Sequence, residues 1–548
     1  MNVSESSTLS EGVESGAPRV GLSRVEVACV VVSILCVLFS LWAAQVGFNT
    51  PILANQHSWR QAQTALTAQC LKEGGPFLRY ETPVLGPPWS VPFEFPLYQW
   101  MAAKLSNAFS INLELSGRLL SLLFFYACLL PLYFCLAVFE ICRVHRMVPL
   151  SLFAISPYYI FWSHAFLVES LALFLGLAYL GVVVSDHRHK TRGPGRRLGI
   201  FFLIAALGSL AGVVKVTTFV PFLCAGVVLA LLPGYRAFRH RSLSSKDVFR
   251  TACLLTAVGF VPFLLTTLWT QYADSVKMQS PATASLTSKA LVAFNFGTMA
   301  QKLSPHNWYF ILRRDLVARD GIIGIIPVLV AVLTFAAANV RWRSALICAG
   351  LFLLPIAMFY NLHLIHNYYD YANGLFLVLA VSFSAIGLLE GDGARKFVGV
   401  LLFALLSSAE ITTYFRSWYF VQQAETPAYR ENLAFASLLQ KRTSPIEVVL
   451  IDGMDWSPEV AYLSHRKAVM VAEITPYSYD GLASPAVQYE VANLGKDSIA
   501  SFIVCGVRRN RTDLVQLAIR AFSLNTHPYA SGTNCDIYFR TTLVQIRF

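Results

Sequence analysis

Residues 199–233, GIFFLIAALGSLAGVVKVTTFVPFLCAGVVLALLP, contain a single charged side chain, Lys215. A membrane span takes about 20 apolar residues, so this run is too long for one span and suits two that turn back near Lys215. The expected pair is 199–213 and 216–233, with a hairpin at 212–217. Comparable apolar stretches lie near 25–47, 116–139, 147–163, 166–184, 251–270, 321–339, 344–360, 372–389 and 397–413, making about eleven spans in all. Composition agrees: 55% of the 548 residues are hydrophobic and 14% charged. A soluble domain is roughly 45–50% apolar and about 25% charged, and that contrast argues against a soluble enzyme. Mean hydropathy is +0.54, which no single anchor would produce in so long a chain.

The excess of 43 Lys and Arg over 31 Asp and Glu gives a net charge of +12, which in a soluble protein would raise nucleic-acid binding as a reading. Its distribution says topology instead. Alternate short loops carry Arg143 and Arg146; Arg188, Lys190, Arg192, Arg196 and Arg197; Arg236, Arg239, Arg241, Lys246 and Arg250; Arg341 and Arg343; Arg395 and Lys396. The loops at 163–166 and 361–374 contain no Lys or Arg. Basic loops stay in the cytoplasm, so the reading is a multi-pass membrane protein with residues 1–24 as a cytoplasmic tail and 25–413 as the transmembrane part; the single small outer tail and the character of the loops point to a bacterial inner membrane. The first apolar run is too long for a signal-peptide core and is expected to be retained.

Three larger pieces then face the outer, periplasmic side: a large first loop at about 48–115, a loop at about 271–320, and the region 414–548. In the last, VVLIDG (448–453), KAVMVA (467–472) and SFIVCGV (501–507) are short β-branched runs between helix-compatible stretches, as in a small soluble α/β domain. An oxidising face would allow Cys505 and Cys535 to pair, leaving Cys70 single. The other eight of the 11 cysteines sit in or beside apolar runs as small core residues.

Polar density in the first loop is high and falls in two clusters, NQHSWRQAQTALTAQCL (55–71) and PPWSVPFEFPLYQWMAAKL (87–105). On a helix His57, Arg60 and Thr64 share a face, with Gln61 and Ala68 beside it. Pro92 and Pro96 stiffen the segment that carries Glu94 between Phe93 and Phe95. Tyr98, Trp100 and Lys104 follow on a helix suited to headgroup depth. A carboxylate in such apolar surroundings requires a cation or a chemical task, which makes Glu94 a candidate base or metal ligand. At the same face lie His164 and Glu169 within SPYYIFWSHAFLVES (156–170), Lys215, and His366, Tyr368, Tyr369 and Asp370 within NLHLIHNYYDYANG (361–374). A lone cation near a bilayer calls for an anionic partner, and a phosphate would serve for Lys215. His363 and His366 lack an obvious third ligand for a metal. The chain has no Walker-type loop, no GxGxxG, no HExxH and no GxSxG. Without a nucleotide fingerprint, an outer site is better suited to a lipid-carried substrate.

These residues, in this order, resemble the membrane glycosyltransferases of the GT-C superfamily, and most closely glycosyltransferase family 39, which includes protein O-mannosyltransferases and bacterial lipid A aminoarabinose transferases. Phe93-Glu94-Phe95-Pro96-Leu97-Tyr98 is similar to the family's acidic–x–Pro–Pro–Leu–Tyr element. His57-Ser58-Trp59-Arg60-Gln61 stands where the family commonly carries an acidic pair. Ser156-Pro157 followed by Glu169-Ser170, Lys215, and His366-Asn367-Tyr368-Tyr369 also resemble positions in the pattern, over about residues 45–390.

The resemblance implies transfer of a sugar, hexosyl or pentosyl, from a polyprenyl-phosphate carrier such as undecaprenyl phosphate to a hydroxyl of a protein, lipid or glycan acceptor, with inversion. Glu94, His57 or both would then be base or metal ligand, with Arg60 and Lys215 on the donor phosphate. Trp59, Gln61, Tyr98, Trp100, His164, Glu169, His366, Tyr368, Tyr369 and Asp370 would surround the substrate. A divalent metal would assist a phosphate leaving group without being obligatory. The chain departs from the family where the first acidic position reads His57. Other classes that suit a polytopic chain are a transporter or lipid flippase, and a ligase or polymerase of lipid-linked oligosaccharide. Charges at mid-span and internal repeats, expected of a transporter, are absent from the sequence.

Overall fold

A computed structural model of the chain describes residues 22–541, apart from residue 55 and the stretches 189–193, 241–243, 317–320, 339–340, 472–477 and 496–497. Lys190, Arg192, Arg241 and most of the N-terminal tail lie outside the described residues. Among the described residues six helices are long and apolar enough to cross a membrane: Arg24–Ala43, Leu113–Phe139, Glu169–Arg188, Gly195–Arg239, Ser245–Lys277 and Ala394–Val421. Ile325–Ala338, Trp342–Met358 and Gly374–Leu389 are shorter apolar helices among them. The apolar side chains that face outward include Phe202, Phe249 and Phe263. Surface of that kind suits lipid and not water.

The run around Lys215 is one helical element broken at that residue, whose backbone is extended (φ −162°, ψ 95°). Gly208 before the break and Gly226 after it both lie against the ring of Tyr179, so the two arms run side by side and Lys215 stands at their turn. A glycine is required at both positions, because a Cβ would sit 3.0 Å or less from Tyr179. Two expected boundaries move. The segment 147–163 divides into Met147–Ile155 and Pro157–Trp162, because Pro157 cannot donate within a continuous helix and starts a new one. The final apolar helix runs past residue 413 through a π-turn at Tyr414–Trp418.

The basic loops meet at one end of the bundle. Arg341 donates to the carbonyl of Phe139 and pairs with Glu390, Arg188 donates to the carbonyl of Ala137, and Arg250 pairs with Asp186. At the opposite end the chain past residue 443 builds a five-stranded sheet in the order β2-β1-β3-β5-β4. The strands are β1 (Val448–Asp452), β2 (Lys467–Met470), β3 (Ile499–Cys505), β4 (Ala530–Ser531) and β5 (Cys535–Phe539). β1 is parallel to both neighbours and β5 is antiparallel to β3. Cys505 and Cys535, directly opposite in that antiparallel register, form a disulfide, and Cys70 is free. The free edge of β2 is covered by the first loop: Ala468 N–H donates to Pro83 O and Met470 N–H to Val84 O, both at 3.0 Å. Helix Ser58–Lys72 joins the two parts through Ser58 to Glu459 (2.5 Å) and Gln69 to His465 (2.5 Å). One buried core runs from Cys29 through Ala62 to Ile451 and Ile537, and a second, with Val448, Leu450, Phe502 and Tyr538, packs within the sheet-bearing part.

Candidate active site

Where the hairpin turn, the first loop and the sheet meet, they enclose a cavity of about 1040 Å³. Glu94 enters it from a backbone pinned on several sides. The Tyr80 hydroxyl accepts from Phe93 N–H (2.8 Å) and donates to Glu94 O (3.0 Å). Phe95 N–H donates to Val213 O at the hairpin turn (3.0 Å), and Trp269 Nε1–H donates to Phe93 O (2.9 Å). The rigidity expected from Pro92 and Pro96 is thus reinforced by tertiary bonds.

The cations around the cavity each hold a carboxylate. Arg60, on the first turn of helix Ser58–Lys72, pairs with Glu94 and donates to Gln63. Lys215 pairs with Glu169, both almost wholly buried, and its Nζ lies 5.3 and 4.8 Å from the ring centroids of Tyr368 and Tyr369. Lys277 is a third: its Nζ is 3.0 Å from Asp274 Oδ1, donates to Leu286 O (2.9 Å), and stands 4.6 Å from the Phe93 ring centroid. Aromatic faces complete the walls. Trp59 lies between His366 (5.7 Å between centroids) and Trp456 (6.1 Å), and Trp456 packs on Phe93 (5.8 Å).

The segment 366–370 is braced from behind. The Tyr158 hydroxyl donates to Asn367 O (2.8 Å), and Asp370 accepts from Arg314 and His363, each at 2.6 Å. Burial pushes the Asp370 carboxyl up to about 6 against the pull of Arg314. Burial also lowers His366 to about 3 and His57 to about 4, so both rings are neutral at pH 7.

The structure therefore brings together Trp59, Arg60, Glu94, Lys215, His366, Tyr368 and Tyr369 around one cavity, with Glu169 behind Lys215. Other expected residues lie elsewhere. His57 starts its helix in a left-handed conformation (φ 50°), and its Nε2 donates to Asn367 Oδ1 (2.8 Å) beside Tyr368. Gln61 turns from the cavity to accept from Phe166 N–H (3.0 Å). Tyr98 is sealed between helices, donating to Gly117 O (2.9 Å). His164 is buried near Phe48, and Trp100 is on the surface against Phe77. Asp370 braces the wall without lining it. His57 and Glu94 belong to separate contacts. Each is engaged by a different partner, Asn367 and Arg60, and among the described residues no three His, Cys, Asp or Glu side chains gather as a ligand set.

Sequence reasoning missed Asp274 and Lys277, although their i, i+3 spacing at the end of an apolar helix was a readable signal. It also missed Trp456, Asn432 and Glu431 from the C-terminal third, which carry no local signature.

No family model and no curated protein sequence matches the chain. Among solved structures it is similar to ArnT from Cupriavidus metallidurans bound to undecaprenyl phosphate, at 12% identity over 93% of this chain and 98% of that one, with a TM-score of 0.57. It is also similar to the archaeal oligosaccharyltransferase AglB from Archaeoglobus fulgidus in complex with an inhibitory peptide and a dolichol-phosphate. There identity is 11% over 90% of this chain and 71% of that one, with a TM-score of 0.53. The polytopic helical bundle, the site at its sheet-bearing end and these two likenesses agree: the chain has the fold of the GT-C membrane glycosyltransferases.

Proposed function

We propose that this chain transfers a sugar from a polyprenyl-phosphate carrier to an acceptor hydroxyl, on the outer face of a bacterial plasma membrane. The observation that carries the reading is one cavity lined by Arg60, Lys215, Lys277 and Glu94 together with aromatic rings. The likeness to ArnT, whose structure holds undecaprenyl phosphate, supports a lipid-phosphate donor. Orientation rests on the basic loops, which gather at the opposite end and belong in the cytoplasm.

In the proposed reaction the acceptor oxygen attacks the anomeric carbon from the face opposite the lipid phosphate. The new glycosidic bond forms as the carbon–oxygen bond to phosphate breaks, and configuration inverts. Glu94 takes the hydroxyl proton; its pinned backbone and its pairing with Arg60 hold the carboxylate in one orientation. The departing phosphate gains charge that Arg60 suits as a planar fork and Lys215 and Lys277 as point cations. Trp59 and Trp456, packed edge to face, give an aromatic wall for a sugar ring or acceptor. His57 does not line the cavity and is assigned a positioning role on Asn367 and Tyr368.

The test uses the purified full chain in detergent with a labelled polyprenyl-phosphate sugar, following release of polyprenyl phosphate. Loss of a general base typically costs 10²–10⁴ in rate, and Glu94→Gln is expected to fall in that range with donor binding retained. Wild-type turnover by Glu94→Gln would exclude it as base. Absence of transfer by the wild type with any lipid-linked sugar, together with substrate flux across vesicles, would favour a transporter.

A further inference from the structure

A second cavity, of about 430 Å³, lies at the basic end of the bundle, far along the helices from the first. It is walled by Tyr133, Phe134 and Val184, and three arginines enter it: Arg143, Arg146 and Arg188. Among the described residues no carboxylate lines it. Arg146 donates to Ile141 O (3.1 Å) and packs 5.0 Å from the Tyr133 ring centroid, while Arg188 donates to Ala137 O. Each guanidinium has five N–H donors, so these backbone contacts leave most of them unused. Arg143 makes no hydrogen bond or ion pair among the described residues. Three like charges converging without an acid repel one another, and an anion in their midst removes that cost.

The floor is equally specific. Leu130 and Phe134, on the helix that supplies Tyr133, are exposed on the outer surface of the bundle where lipid chains would run. The cavity thus joins cations at headgroup depth to an apolar surface below them. We propose that it binds the phosphodiester of an anionic membrane lipid. Arg143, Arg146 and Arg188 surround the phosphate, and the acyl chains lie along Phe134 and Leu130. The chemistry is that of any phosphate anion, and basic pockets between spans on the cytoplasmic side are placed to meet anionic headgroups. The site is independent of the proposed transfer reaction.

The full chain in a zwitterionic detergent is titrated with phosphatidylglycerol, with phosphatidylcholine and with inorganic phosphate, reading thermal stability and bound lipid by native mass spectrometry. Phosphatidylglycerol is expected to stabilise and remain bound, and phosphatidylcholine to do neither. At about fivefold per arginine near a charged surface, the triple Arg143→Gln, Arg146→Gln, Arg188→Gln variant should bind on the order of 100-fold more weakly. Arg143→Gln alone, which removes no contact among the described residues, should still weaken it about fivefold, and the triple lysine variant should retain most of the effect. Arg236→Gln with Arg239→Gln, at the same end but outside the cavity, should change nothing. Equal stabilisation by phosphatidylcholine, or retention of phosphatidylglycerol by both glutamine variants, overturns the proposal. Stabilisation by inorganic phosphate without lipid would overturn the lipid assignment in favour of a free anion.

Discussion

Replacing Lys215 by methionine removes a cation that pairs with Glu169 and that the proposed reaction places on the donor phosphate, and a paired variant separates the two. Its partner Glu169 has a side chain only 2% exposed. A charge left alone in such a place typically costs about 3–5 kcal/mol, so Lys215→Met should unfold at clearly lower temperature or denaturant. Adding Glu169→Gln removes the orphaned charge and should restore most of the stability, because replacing a buried pair with neutral groups is often close to neutral. The residual deficit should be about 1–2 kcal/mol, from the loss of the ammonium over Tyr368 and Tyr369. Donor binding should not recover. A charge-assisted hydrogen bond is worth about 1.5–3 kcal/mol, so both variants should bind polyprenyl phosphate roughly 10- to 150-fold more weakly than wild type. The assay pairs chemical denaturation in detergent with a polyprenyl-phosphate binding titration. If the double variant regains donor affinity along with stability, Lys215 serves the fold alone and the phosphate assignment fails.

The neutral imidazoles give a pH signature. His57 and His366 titrate near 4 and 3 when folded, so between about 6.5 and 4 the unfolded chain binds more protons than the folded one. Stability should fall as pH drops through that window, and His57→Gln with His366→Gln should flatten the slope of denaturation midpoint against pH; an unchanged slope would contradict the burial argument. Tyr80→Phe removes two of the four bonds that pin the backbone around Glu94 and strands the Phe93 N–H. It should cost about 1–3 kcal/mol and lower kcat more than it raises donor KM, as steady-state kinetics would reveal. Cys505 and Cys535 are 30 residues apart, and breaking their disulfide by Cys→Ser should destabilise the sheet by about 3–4 kcal/mol, read as earlier proteolysis of the C-terminal region; equal protease resistance would refute this.

What could be read from the sequence was what is encoded locally. Apolar length marked the helices, and a lone cation in an apolar run marked Lys215. Two prolines around Phe-Glu-Phe marked Glu94. What could not be read is closure over long distances. Ser58 meets Glu459, His57 meets Asn367, and Trp59 meets Trp456, each across hundreds of residues. Polar residues in the right loop were therefore credited to the cavity when they serve packing. Tyr98 satisfies Gly117 O and Ser121 inside the bundle, and Gln61 caps the backbone at Phe166. Only the side of the helix that each residue occupies after docking distinguishes Gln61 from Arg60, its neighbour in sequence.

The strand-like contact between residues 83–85 and β2 bears on how the protein is made. Ribosomes deliver Pro83 and Val84 several hundred residues before Ala468 and Met470, and the two must reach the same side of the membrane before their hydrogen bonds can form. Until then the first loop lacks the surface it completes, and once synthesis ends β2 carries an open row of donors until the loop docks. Open edges of this kind are templates for mispairing between chains. Biogenesis thus has a late step in which a loop made early closes the part made last, and the cavity between them exists only after that closure.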